Sequence, residues 1–228
     1  MKKIIIIFLI TITSCNYDWS YKNPQNWGDL KEEYKFCKIG YNQSPIDIKR
    51  EFNNKDLTFS YSKDGFEKER EKYVMKFNFD HKDYVLRAKR KYFVNHFEFH
   101  HPSEHLIDSK PYSLEMQIYH KSDDEQHLAI AIFLEIGEEN PSFNQIIAAL
   151  KNNEKQQKID LSKIIKADDN VFFYDGSATT PPCKEGLKWY VMKTPIKISK
   201  TQMNQIIKGA IFSKANARPT QAFHDEKY

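Results

Sequence analysis

Residues Val94 to His105 read VNHFEFHHPSEH, and the fold of the chain turns on how this stretch is read. It packs four histidines and two glutamates into twelve residues. A strand sends alternate side chains to opposite faces, so His96, Glu98 and His100 point one way while Phe97, Phe99 and His101 point the other. The phenylalanines can enter a core. The opposite face is free to carry metal or acid–base chemistry.

Working outward, similar β-branched and aromatic runs recur: Val74 to Phe79, Tyr84 to Leu86, Tyr92 to His100, Ser113 to His120, His127 to Ile136, Val171 to Tyr174 and Leu187 to Met192. Turn and charge clusters such as DHKD and KSDDEQ separate them, the pattern of a strand-rich protein. Two helices interrupt it. Ser142 to Lys151 follows Pro141 and gathers Phe143, Ile146, Ile147 and Leu150 on one side. A second begins at Ser199, with Gln202 completing a capping box, and presents Met203, Ile206 and Ile207. The charge run Lys63 to Lys72 is expected to be a solvated loop. The reading is an α+β, predominantly β fold: one large, mostly antiparallel sheet with short peripheral helices and no linker dividing it.

The chain has 228 residues, 40% of them apolar, enough for a substantial core. At the start, MKKIIIIFLITITS places two lysines before an apolar run from Ile4 to Ile12. That run is short for a bilayer span and fits an export signal over residues 1–14. Ile12-Thr13-Ser14-Cys15 resembles a lipoprotein cleavage site with Cys15 as the lipid-bearing residue; the alternative is an ordinary signal with a chance cysteine. Loss of the leader removes two lysines and no acid, so the net charge falls from +4 to +2, too small by itself to argue for nucleic acid, and no nucleic-acid partner is expected. In an oxidising compartment the remaining cysteines, Cys37 and Cys183, are expected to pair, the alternative being two buried thiols. The basic cluster Arg87, Lys89, Arg90 and Lys91 reads as a solvated hairpin or a polyanion contact.

Five further stretches are informative together: WSYKNPQNW from Trp19, CKIGYNQSPIDI from Cys37, SLEMQIYHK from Ser113, YDGSATTPPCKEGLKWYV from Tyr174 and NARPTQ from Asn216. With the opening segment they resemble, in order and over nearly the whole chain, the α-class carbonic anhydrases. The resemblance implies a domain over residues 17–228 built on one large twisted sheet, and a disulfide matching Cys37 and Cys183. It also implies a cavity where three histidines hold zinc, whose bound water is acidified to attack CO2.

The three ligand positions implied by the resemblance fall on Glu98, His100 and Gln117, so only His100 is a histidine. Thr179 matches the threonine that orients the zinc-bound hydroxide and Glu104 the acid that holds it, while His96 and Glu115 match residues around the ligands. The proton-shuttle histidine has no counterpart; Lys72 or Tyr73 falls there. The CO2 wall is altered at Tyr119, Ala129 and Ala178, with Trp189 kept. An amide is a weak zinc ligand and a carboxylate reduces the metal's pull on water. The expected cofactor is therefore none or weakly bound zinc. A site shifted to His96 would have to span about 13 Å along a strand to His100. His101, His105 and His120 read as structural.

These features lead to an exported carbonic anhydrase-like protein, periplasmic or on the cell surface and anchored to the membrane by a lipid on Cys15. Its expected role is binding a protein or polyanionic glycan with little or no CO2 hydration; the alternative is a weak metal-dependent carbonate dehydratase.

Overall fold

The computed structural model describes residues 19–49, 57–80, 82–152, 157–165 and 171–224. The expected leader and Cys15 lie outside them. Among the described residues there are three α-helices: α1 (Phe36–Ile39), α2 (Asn144–Lys151) and α3 (Lys200–Ala210). The strands are β1 (Asp47–Ile48), β2 (Leu57–Ser60), β3 (Lys63–Arg70), β4 (Met75–Phe79), β5 (Tyr84–Arg87) and β6 (Arg90–His100). They continue with β7 (Leu106–Ile107), β8 (Leu114–Lys121), β9 (His127–Ile136), β10 (Gln157–Asp160), β11 (Val171–Ser177) and β12 (Glu185–Ile198).

Ten strands form one sheet in the order β10-β3-β4-β6-β8-β9-β12-β11, with β5 pairing both β2 and β6. The pairing is antiparallel except between β9 and β12, which run parallel. Alternation along β9 shows how the sheet serves two cores. Leu128, Ile130, Ile132 and Leu134 join a large cluster with Phe77, Phe97, Phe99 and the helical Ile146 and Ile206. Ala129, Ala131 and Phe133 face the other way, toward Tyr174, Trp189 and Val191. The expected split of Phe97 and Phe99 from Glu98 and His100 follows the same pleat.

The solvated loop expected at Lys63 to Lys72 is instead strand β3, held between β10 and β4. Its charge masks a period-two pattern: Asp64 and Phe66 are buried while the intervening positions stay more open. Lys68 extends from this strand to donate to the carbonyls of Ala149 and Asn152, at the end of α2, where a helix leaves acceptors unpaired. The expected first helix enters through a 3-10 turn over Pro141–Phe143 before α2 proper. At α3 the Ser199 and Gln202 capping box forms as read.

Cys37 and Cys183 are disulfide-bonded, closing 146 residues. In the chain-entropy treatment a loop of that length stabilises the fold by about 5 kcal/mol. The bond ties α1 to the segment between β11 and β12. The β5–β6 connection is a tight hairpin turn with Ala88 and Lys89 at φ 46° and 65°.

Candidate functional site

The register of β6 against β8 builds the centre. Glu98 lies opposite Gln117, His100 opposite Glu115, and His96 opposite Tyr119, so six polar or aromatic side chains share one pleated face. Glu104 arrives from the turn after β6 and Thr179 from the segment after β11. Glu98, His100, Glu104, Glu115, Gln117 and Thr179 are all buried. The structure therefore brings together the residues that the sequence singled out.

His100 is held at both ring nitrogens: Nδ1 lies 2.7 Å from the Asn216 carbonyl oxygen and Nε2 lies 3.2 Å from Glu98 Oε1. Glu104 Oε1 stands 3.5 Å from the same Nδ1. Burial alone would lower the His100 pKa, but the charge of Glu104 and the hydrogen bond and charge of Glu98 outweigh it and raise it. Burial likewise works to raise Glu98, and the hydrogen bond and charge of His100 overcome it and hold the carboxyl low. The two form a buried imidazolium–carboxylate pair.

Gln117 is fully engaged. Its Nε2 donates to Glu104 Oε2 at 2.9 Å and to Glu115 Oε1 at 2.8 Å, and its Oε1 accepts from the Tyr119 hydroxyl at 2.6 Å. An amide has two N–H donors, and both are spent on carboxylates. Glu104 also accepts from the backbone N–H of Arg218 at 2.8 Å. Burial raises its pKa, and repulsion from Glu115 adds to that. Burial raises the pKa of both Glu104 and Tyr119, and the nearby Thr179 hydroxyl only works against that rise, yet Oγ1 completes no well-aligned hydrogen bond.

Around this centre, Tyr119 stacks on His96 at 4.7 Å and meets Trp189 edge-on at 5.9 Å. Tyr119 lies opposite Ala129, and Ala129 opposite Trp189, so the small residue makes room for the two large rings. Ala178 is half-buried beside Thr179. His96 is buried to a pKa of about 4 and bonds Asn95. The register irregularity in β6 falls between Val94 and His96, not between His96 and His100, so nothing shortens the distance a shifted site would have to span. His101 bonds the Ser113 carbonyl, and His120 lies against Tyr61. His105 bridges Glu115 and the Tyr174 hydroxyl at 2.8 and 2.7 Å, a structural role as expected.

A narrow cleft reaches Glu98 between Trp19, Tyr21, Tyr73, Lys76 and Thr180. Lys76 pairs with Glu71 at 2.7 Å and acts on Glu98 through space. Sequence reasoning missed Lys76, Tyr21 and the Asn216 carbonyl. Lys76 carried a signal, since MKFNF alternates and places Lys76 and Asn78 opposite the core-facing Phe77 and Phe79. The Asn216 contact is a backbone acceptor and left none.

The same sheet, and the same arrangement of the chain on it, is found in known proteins. The profile of eukaryotic-type carbonic anhydrases matches residues 22–227. The chain belongs to the α-class carbonic anhydrase family. A carbonic anhydrase of Nostoc sp. is 32% identical over 91% of this chain and 84% of its own length. The α-carbonic anhydrase of Thermovibrio ammonificans, solved with the inhibitor sulfanilamide, superposes with TM-score 0.79 at 31% identity, covering 87% of this chain and 91% of that one. Dioscorin, solved in complex with ascorbate, superposes with TM-score 0.76 at 26% identity, covering 87% of this chain and 89% of its own.

Zinc in this family raises the question of whether the side chains expected at the metal fit such an ion. They do not fit as three ligands: His100 Nε2 and Glu98 face each other, but the Gln117 oxygen is taken by Tyr119 and its nitrogen points to two carboxylates. Among the described residues no three His, Cys, Asp or Glu side chains converge to hold a metal.

Proposed function

We propose that this protein is an exported, membrane-anchored member of the carbonic anhydrase family in which two zinc-ligand positions are replaced, by Glu98 and Gln117, and which has exchanged CO2 hydration for binding. The observation that carries this reading is the self-sufficiency of the centre. Glu98 neutralises His100, and Gln117 satisfies Glu104, Glu115 and Tyr119 at once. The side chains at the ligand positions already have their partners, and a third neutral donor is not offered to a metal. The Tyr119 ring adds to this by filling the wall beside Trp189, where the resemblance expects a smaller aliphatic side chain and a place for CO2.

The anchor is a lipid on Cys15, which puts the protein in the periplasm or on the cell surface. The partner is a protein or a polyanionic glycan, not a nucleic acid. Cations at the β5–β6 hairpin suit the glycan in part only: Lys89 stands at the turn, while Arg90 is paired to Asp124 at 2.9 Å and Lys91 lies over Tyr84.

One observation favours the second reading, a weak metal-dependent carbonate dehydratase. Thr179 Oγ1 is buried without a completed hydrogen bond beside Glu104, as a hydroxyl waiting to orient a nucleophile would be. Metal content and CO2 hydration measured on one sample separate the two. The expected result is well under one equivalent of zinc, cobalt or iron with hydration at background. Chelator-sensitive hydration near the rates of family enzymes would overturn the binding reading. A Glu98→His, Gln117→His, Tyr119→Val variant is expected to gain zinc.

A further inference from the structure

Five large apolar side chains stand exposed among the described residues, and four of them, Leu30, Phe36, Ile39 and Tyr41, fall within one short stretch; the fifth is Ile136. Ile39 is 68% exposed and Leu30 and Phe36 more than 40%. Scattered apolar side chains on a surface mean little, but a contiguous group marks a contact. Two of them sit side by side, and a third belongs to the turn packed against their helix. Phe36 and Ile39 are three apart on α1 and therefore neighbours on its surface. Leu30 ends the 3-10 turn Pro24–Asp29, against which α1 packs so closely that Lys38 nearly touches Gly28.

The group cannot turn inward. Cys37, between Phe36 and Lys38, is committed to the disulfide, and its carbonyl accepts from Arg218 at 2.9 Å. Both contacts fix the inner side of α1, leaving Phe36 and Ile39 outside. Lysines of the same stretch are held locally: Lys35 pairs with Glu32 and Lys38 with Asp29, each at 2.7 Å, and Lys31 lies over the Tyr34 ring.

The start of the described chain is tied to the turn that Leu30 ends. Trp19 meets Trp27 at 5.0 Å, and the Leu30 N–H donates to the Trp27 carbonyl at 3.2 Å. Cys15 is four residues before Trp19, so even a fully extended chain separates them by no more than about 14 Å. A lipid on Cys15 would hold this corner of the molecule at the bilayer.

We propose that Leu30, Phe36 and Ile39, with Tyr41 at their edge, form a membrane-docking surface that seats the anchored protein on the lipid interface. The inference rests on the anchored reading given above and adds an orientation to it. A tether alone would leave the domain free to tumble. With the apolar group inserted, α1 lies against the acyl boundary, as interfacial elements do.

The test uses the full chain, extracted from membranes and reconstituted in vesicles of phosphatidylethanolamine and phosphatidylglycerol doped with brominated phosphatidylcholine. Bromine quenches tryptophan at short range, and Trp19 packs on Trp27 of the turn that Leu30 ends. Wild type is compared with Phe36→Glu, Ile39→Glu and with Ile136→Glu, all exposed positions, and intact mass reports the lipid on Cys15. Quenching in wild type and in Ile136→Glu, falling by more than about half in the double variant with the lipid mass present, is the expected result. Equal quenching in the double variant with lipid present would overturn docking and leave a bare tether. A chain without lipid would remove the anchor reading; quenching that still depends on Phe36 and Ile39 would then keep the surface, and none would end both. Unquenched wild type that cross-links as a dimer through α1 would assign the surface to a second copy instead.

Discussion

At the scale of single residues, the pair formed by Glu98 and His100 decides how the centre behaves. Removing one member of a buried pair strands the other charge, at a cost of about 3–5 kcal/mol. Glu98→Gln is expected to lower stability to urea accordingly, and the loss should depend on pH. Glu98 is held below its ordinary value of 4.5, so its contribution is present above that value and lost as pH falls below it. His100 is raised above its ordinary 6.5, so its contribution is full below 6.5 and fades as pH rises beyond. The difference between wild type and Glu98→Gln should therefore be widest between 4.5 and 6.5. Urea midpoints of both proteins at pH of about 3.5, 5.5 and 8.5 check this; a difference that does not vary with pH would mean that His100 is neutral.

Among elements, α3 and β3 show what the sequence could and could not say. The α3 start was legible because its signal is local: Ser199 and Gln202 satisfy each other's backbone. Ser199→Ala is expected to cost about 1 kcal/mol, read as a shift of the thermal midpoint. Strand β3 was illegible because its evidence lies on its neighbours. KDGFEKER is a poor strand by composition, and only pairing with β4 and β10 and the reach of Lys68 to α2 make it one. The two-residue strands β1 and β7 escaped for the same reason, having each other as their main support. At the centre, the alternation of β6 was enough to place Glu98 and His100 on one face. What Gln117 does there could not be read, because its role depends on Glu104 reaching it from the turn after β6 while Glu115 and Tyr119 flank it on β8.

For the whole molecule, the Cys37–Cys183 bond is the largest single constraint outside the sheet. Reduction, or Cys183→Ser, is expected to lower stability by up to about 5 kcal/mol, seen as a fall in the urea midpoint; a change below about 1 kcal/mol would mean that Arg218 and its contacts already hold α1. Those contacts are extensive. Arg218 donates to Gln43, to the Ser44 carbonyl and to the Cys37 carbonyl, and its backbone N–H reaches Glu104. Asn216 holds His100 through its carbonyl, and Gln221 closes on Pro45. The short run from 216 to 221 thus serves the N-terminal segment and the buried centre together. A ribosome delivers these residues only after every strand of the sheet has been made. Until they arrive, His100 and Glu104 lack their backbone partners and the N-terminal segment has nothing to close on. A nascent chain should consequently remain incomplete, and open to proteases, until residues 216–221 have emerged to close it.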